Sequence, residues 1–229
     1  MPDSPGLPAV TLIPAGPMNA FLIRGQRPVL VDTGLPGSGP GILAALEKQG
    51  VRPRDLALIV ITHAHIDHSG SAAFLKEVTG APVLVHAADA EYLRSGASAP
   101  ATPAAFLGRL LNLATGNRKP DPALAAEPDI LVNAPYCLDA FGTDGTIVPV
   151  PGHTPGSLAI VLSTGECIAG DLVMGLMPAS RVRLPIVAAD LPAAVASIHR
   201  ILDMNPKIFY TGHGGPFPAE RVRSLVGVT

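Results

Sequence analysis

Three of the seven histidines lie within six residues, in Thr62-His63-Ala64-His65-Ile66-Asp67-His68-Ser69-Gly70. Neutral imidazole and carboxylate suit zinc and similar divalent cations. Alternate residues of an extended chain point the same way, so His63 and His65 can share one cation. Where the chain then turns, the adjacent Asp67 and His68 can face a second. A catalytic zinc keeps an open coordination position. Four donors at one strand end are therefore too many for a single ion, and the spacing points to two.

Three further candidates occupy similar contexts: Gly152-His153-Thr154-Pro155-Gly156, Gly170-Asp171 and Gly212-His213-Gly214-Gly215. Each follows a strand-like run and has glycine beside it, which lets the chain turn sharply and a ligand approach. The ends of strands are where open α/β sheets place their sites.

The elements that must position these residues can be read from the apolar pattern. Short strands are predicted at 9–13, 19–24 and 28–32, with a hairpin-length connection at Gly25-Gln26-Arg27. Ile42, Leu43 and Leu46 predict a helix closing at Gly50. The continuous run 56–61 reads as a strand buried on both faces. A helix over 69–78 and a strand over 83–85 follow. Further strands are predicted at 146–150, 158–162, 166–169 and 207–210. Helices are predicted at 191–202, with Asp190 as N-cap, and at 220–226. Strands interleaved with helices in both halves indicate an α/β architecture in a single domain, residues 1–229. Residues 91–135 read as an inserted excursion with one strong helical signal, Phe106-Leu107-Leu110-Leu111, and Phe141 just beyond. That stripe suits helix packing, a lid lining a mostly apolar substrate pocket, or a homodimer contact.

The series His63-x-His65-x-Asp67-His68, then His153, Asp171 and His213, resembles the metallo-β-lactamase fold superfamily in its dinuclear hydrolase form. Val31-Asp32-Thr33-Gly34 matches that family's early Asp motif, and the likeness runs from about Asn19 to Pro216. The resemblance implies a four-layer αββα sandwich. It implies one cation on His63, His65 and His153, a second on Asp67, His68 and His213, and Asp171 bridging both. Asp32 would bond to the ligands from behind. The cofactors implied are two divalent ions, zinc first, with manganese or iron as alternatives. A hydroxide shared by two such cations is a nucleophile near neutral pH, and positive charge stabilises the developing oxyanion. Asp67 can orient that hydroxide or take its proton, so it is the candidate catalytic residue.

Departures within the family narrow the substrate. The antibiotic-hydrolysing members mostly carry Cys or Ser at the bridging position, so Asp171 places this chain with the non-lactamase hydrolases. The C-terminal glutathione-binding helices of dedicated glyoxalase II enzymes have no counterpart in the sixteen residues after His213. The expected activity is hydrolysis of an ester, thioester, lactone or similar acyl substrate. A phosphodiesterase and a mononuclear-iron sulfur oxygenase of the same fold are the alternatives.

Composition excludes other classes. With 16 basic and 18 acidic residues the net charge is −2, which argues against nucleic acid as the partner and for a small-molecule substrate. Two cysteines are too few for a disulfide scaffold or an all-cysteine cluster. No apolar run approaches the ~18 residues of a membrane span, and the N-terminus lacks a basic leader. The expectation is a cytoplasmic protein without membrane association. Asn19, ahead of an apolar strand, could place its amide near the site, although turn chemistry alone explains it.

Overall fold

In the computed structural model, which describes residues 9–100, 102–103, 119–176 and 181–228, each short strand sorts its side chains onto two faces. In Val29–Val31, Leu30 joins a buried cluster with Ile42 and Leu46 of the helix Gly39–Lys48. Val29 and Val31 face the other way, into a cluster with Ile147, Leu158, Ile160 and Ile168. Ile59 and its neighbours Leu58 and Val60 divide in the same manner. This two-sided burial is why the run 56–61 is apolar throughout.

Two six-stranded sheets result. The first runs Val10–Ala15, Met18–Ile23, Val29–Val31, Leu58–Val60, Val83–His86, Ile130–Val132. Its first three strands form antiparallel hairpins, and the rest pair in parallel. The second runs Phe217–Pro218, Ile208–Tyr210, Glu166–Ile168, Leu158–Leu162, Gly145–Pro149, Tyr136–Cys137. A third buried cluster joins its outer face, including Ala159, Cys167 and Phe209, to Ala194, Ile198, Ile201 and Leu202. Those four recur at helical spacing along Leu191–Asp203, whose start is capped by Asp190 accepting from the Ala193 N–H at 2.9 Å. Three clusters between four layers make the αββα sandwich.

The structure departs from the sequence pattern in specific places. The helix predicted over 69–78 is two helices, Ile66–Ser69 and Ala72–Thr79. The break is at Gly70, where a Cβ would stand 2.5 Å from the Pro36 nitrogen and 2.4 Å from the Ile66 carbonyl. The Gly70 N–H instead donates to Gly34 O, so the loop after Asp32 docks on the break. Within the stretch read as an excursion, Ile130–Val132 is an edge strand of the first sheet. Phe141, grouped there with the apolar stripe, is buried between the sheets. Phe106, Leu107, Leu110 and Leu111 lie outside the described residues. The antiparallel pair Met174–Leu176 with Arg181–Arg183 has no counterpart in the sequence pattern. Among the described residues no helix is long and apolar enough to cross a membrane.

Candidate metal centre

All seven sequence-predicted ligands lie at strand ends or in the loops and short helix that follow them, and the fold brings them together. His63 and His65 follow Leu58–Val60, with His65 extended at the start of the helix Ile66–Ser69 that carries Asp67 and His68. His153 follows Gly145–Pro149, Asp171 follows Glu166–Ile168, and His213 follows Ile208–Tyr210. Among the described residues three groups have donor atoms within 4.8 Å of one another: His63, His65 and His153; Asp67, His68 and His213; and His63, His68 and Asp171.

The outward bonds of the rings decide which nitrogens face inward as acceptors. His65 Nε2 lies 3.1 Å from Ala99 O, and His153 Nδ1 lies 2.8 Å from Val187 O. Carbonyls only accept, so both rings donate there and turn bare nitrogens inward. Thr62 Oγ1 donates to Asp32 Oδ2 at 2.8 Å and therefore accepts from His63 Nδ1 at 3.0 Å. His68 Nδ1 donates to the same Asp32 oxygen at 2.8 Å. Asp32 also accepts from the Thr62 N–H, and its φ of 62° is one that aspartate tolerates.

Three bare nitrogens consequently converge, with His153 Nε2 3.2 Å from His63 Nε2 and 3.0 Å from His65 Nδ1. Lone pairs so arranged repel unless a cation sits between them. His68 Nε2 and Asp171 Oδ1 are buried and face each other at 3.5 Å without a hydrogen bond, a spacing that a ligand between them would satisfy. The donor set thus fits divalent metal. Asp171 reaches both sides, with carboxylate oxygens 3.7 Å from His153 Nε2, 3.5 Å from His68 Nε2 and 3.2 Å from His213 Nε2. Asp67 Oδ2 is 3.4 Å from His213 Nε2 and partly exposed.

Gly212 and Asn19 set the His213 side. A Cβ on Gly212 would stand 2.3 Å from the His68 ring and 2.6 Å from Asp171 Oδ1. Asn19 is a strand residue, not a turn residue. Its side-chain amide donates to Thr211 O and Gly214 O, both at 2.9 Å, and its N–H to Gly212 O. Local pattern does not encode this clamp, because its partners are nearly two hundred positions away.

The titration of the metal-free chain divides the site. Burial, reinforced by the other imidazoles, drives His63 well below its ordinary 6.5. Burial likewise lowers His65, and takes His153 down to about 3. For His68 burial is outweighed by Asp171 and Asp32, and its pKa rises well above 6.5. For His213 burial is outweighed by Asp171 and Asp67, and its pKa rises to about 10. Burial opposes ionisation of Asp67, but His68 and His213 bring it to about 2.

Between pH 6.5 and about 3 the unfolded chain binds protons that the folded imidazoles of the first group refuse, so stability falls as pH falls. Between pH 6.5 and about 10 folded His213 keeps a proton that the unfolded chain has shed, and His68 acts in the same sense, so stability falls as pH rises. Urea unfolding of the metal-free chain should therefore give a stability maximum near pH 6.5. Metal loading should remove the alkaline limb, because bound histidine must be neutral. A metal-free stability that climbs steadily to pH 9 would contradict this assignment of charge.

Comparison with known proteins agrees with the geometry. Residues 13–213 match the family described as the metallo-beta-lactamase superfamily. A probable metallo-hydrolase of Methanocaldococcus jannaschii is 27% identical over 198 residues, spanning 86% of this chain and 87% of its own. A hydroxyacylglutathione hydrolase of Anaeromyxobacter dehalogenans is 31% identical over 151 residues, which is 66% of this chain but only 44% of that protein. The crystal structure of a metallo-beta-lactamase family protein from Thermus thermophilus superposes with a TM-score of 0.70 at 25% identity, covering 96% of this chain and 78% of the other. The matched span holds every one of the clustered ligands, and the chain belongs to the metallo-beta-lactamase superfamily.

Proposed function

We propose that this chain is a dinuclear metal-dependent hydrolase of a small acyl substrate, an ester, thioester or lactone. The observation that carries the reading is the position of Asp171, whose two oxygens face the histidines of both ligand groups. His63, His65 and His153 would hold one ion, and Asp67, His68 and His213 the other, zinc being the metal such a donor set suits best. Two divalent ions in this arrangement supply Lewis acidity toward the substrate carbonyl and acidify water near neutral pH.

The protein's own groups do the rest. Asp32 fixes the tautomers of His68 and, through Thr62, of His63. Asp67 is ionised and partly open to solvent, so it can orient an entering water. No protein nucleophile is required. Cys167 packs in the core, where burial pushes its thiol up, and Cys137 is exposed on an edge strand. The carboxylate at position 171, in place of the Cys or Ser typical of antibiotic-hydrolysing relatives, supports a substrate other than a β-lactam. The likeness to a hydroxyacylglutathione hydrolase favours a thioester among the acyl candidates.

Elemental analysis of protein never exposed to chelator should give about two divalent ions per chain. A panel of thioester, lactone, aryl ester, phosphodiester and β-lactam substrates should show turnover among the acyl compounds. One iron per chain with oxygen uptake would replace hydrolysis by oxygenase chemistry, and turnover confined to the phosphodiester would move the substrate class.

A further inference from the structure

Asp89 belongs to no motif and to none of the three ligand groups, yet it is fully buried beside them. Its Oδ2 accepts from the Ala64 N–H at 2.9 Å and from Thr154 Oγ1 at 2.8 Å, and its Oδ1 accepts from the Gly156 N–H at 2.8 Å. Ala64 stands between His63 and His65, and Thr154 follows His153. One carboxylate therefore ties together the two loops whose imidazole nitrogens meet at 3.0 and 3.2 Å. The contact is tight, since a Cβ on Gly156 would stand 2.4 Å from Oδ1. Ser157 Oγ closes the second loop by accepting from the Thr154 N–H and bonding Thr154 Oγ1, both at 2.9 Å.

We propose that Asp89 is a positioning residue: its carboxylate sets the spacing of His63, His65 and His153 and thereby the affinity and geometry of the metal site they form. This rests on reading that group as a metal site. The role needs a carboxylate. All three partners are donors, and ionised oxygens accept several strong bonds at once. An asparagine must turn its NH2 toward at least one N–H or O–H, and two opposed donors in a dry interior force the loops apart. Asp32 already serves the His68 side of the site through Thr62 and His68. Asp89 would be its counterpart on the three-histidine side, acting through two backbone amides and one hydroxyl instead of through a ring.

The test is titration of metal-free protein with cobalt chloride, read by the visible absorption of the bound ion, which reports ligand geometry. Wild type should bind two equivalents. Asp89→Asn should weaken binding of one equivalent by about 10–100-fold, the scale for losing an outer partner of metal ligands, and should change the band shape of that equivalent alone. Because this variant removes a buried charge and can fail to fold, Thr154 carries the same test. Thr154→Val deletes one bond to Oδ2 and should shift binding and spectrum in the same direction. Thr154→Ser keeps the hydroxyl and should restore both. Asp129→Asn is the control. It removes bonds to the Val83 N–H and to Lys76, outside the ligand groups, and should lower stability with the spectrum unchanged. Wild-type affinity and spectrum in folded Asp89→Asn or in Thr154→Val would overturn the proposal. A wild type that binds no cobalt would overturn the underlying metal reading instead.

Discussion

Asp171→Asn should lower hydrolysis by more than the ~100-fold that marks the upper range for removing an outer partner of a metal ligand. The loss is larger because in the proposed site Asp171 would itself be a donor shared by the two groups, its oxygens lying 3.2 to 3.7 Å from nitrogens of His213, His68 and His153. The amide is similar in size, so packing is preserved and the change is one of charge. Burial alone would favour the protonated acid at this position. The positive charge of His213 and His68 nevertheless holds Asp171 well below the ordinary carboxylate range. Without that anion the site would lose a negative charge that offsets the repulsion between two cations held by the flanking groups. Metal content should drop below two per chain, and kcat should fall with it. In the metal-free state His68 and His213 should lose the anion that raises them, and the alkaline limb of the stability profile should shrink. A variant that keeps two metals and most of its activity would show that Asp171 does not bridge.

Removing metal from the wild-type chain should abolish turnover and lower thermal stability together. A ligand that binds only the folded state stabilises it in proportion to the logarithm of its excess over Kd, about 4 kcal/mol at a thousandfold excess. For a chain of this size each kcal/mol moves Tm by roughly 2–4 °C, so chelation should cost on the order of 10 °C. The physical source of the effect is already present in the metal-free geometry. Three inward lone pairs converge there, and the buried His68 Nε2 and Asp171 Oδ1, 3.5 Å apart, make no hydrogen bond, so a cation would relieve the site. Adding zinc back should restore both stability and turnover. Recovery of Tm without turnover would point to a metal-binding protein that is not an enzyme, and turnover insensitive to chelator would remove metal from the chemistry altogether.

The candidate ligands that the fold clusters were legible in the sequence because their chemistry is local. His63-x-His65 on an extended segment, Asp67-His68 after the turn, and glycine beside His153, Asp171 and His213 are patterns set by residue type and by backbone geometry over a few positions. The strands were legible for a related reason. A segment buried on both faces must be apolar throughout, and 56–61 and 158–162 are. Whatever depends on a partner far along the chain was not legible. At Gly70 the helix breaks where its N–H donates to Gly34 O across the fold, and Pro36 lies so close that only glycine fits there. The strand Ile130–Val132 is short, and it is a strand only because Val83–His86 offers it a parallel edge. Asn19 looks like a turn residue until Thr211 and Gly214 are brought within 2.9 Å of its amide. Asp89 has no signal at all, since a carboxylate ahead of a short helix has the same local pattern whether it caps that helix or joins two metal loops. The sequence by itself determined which residues can hold cations and on which strand ends they sit. The tertiary structure alone decided which nitrogens face inward, because that follows from hydrogen bonds made to carbonyls and carboxylates that no local spacing encodes.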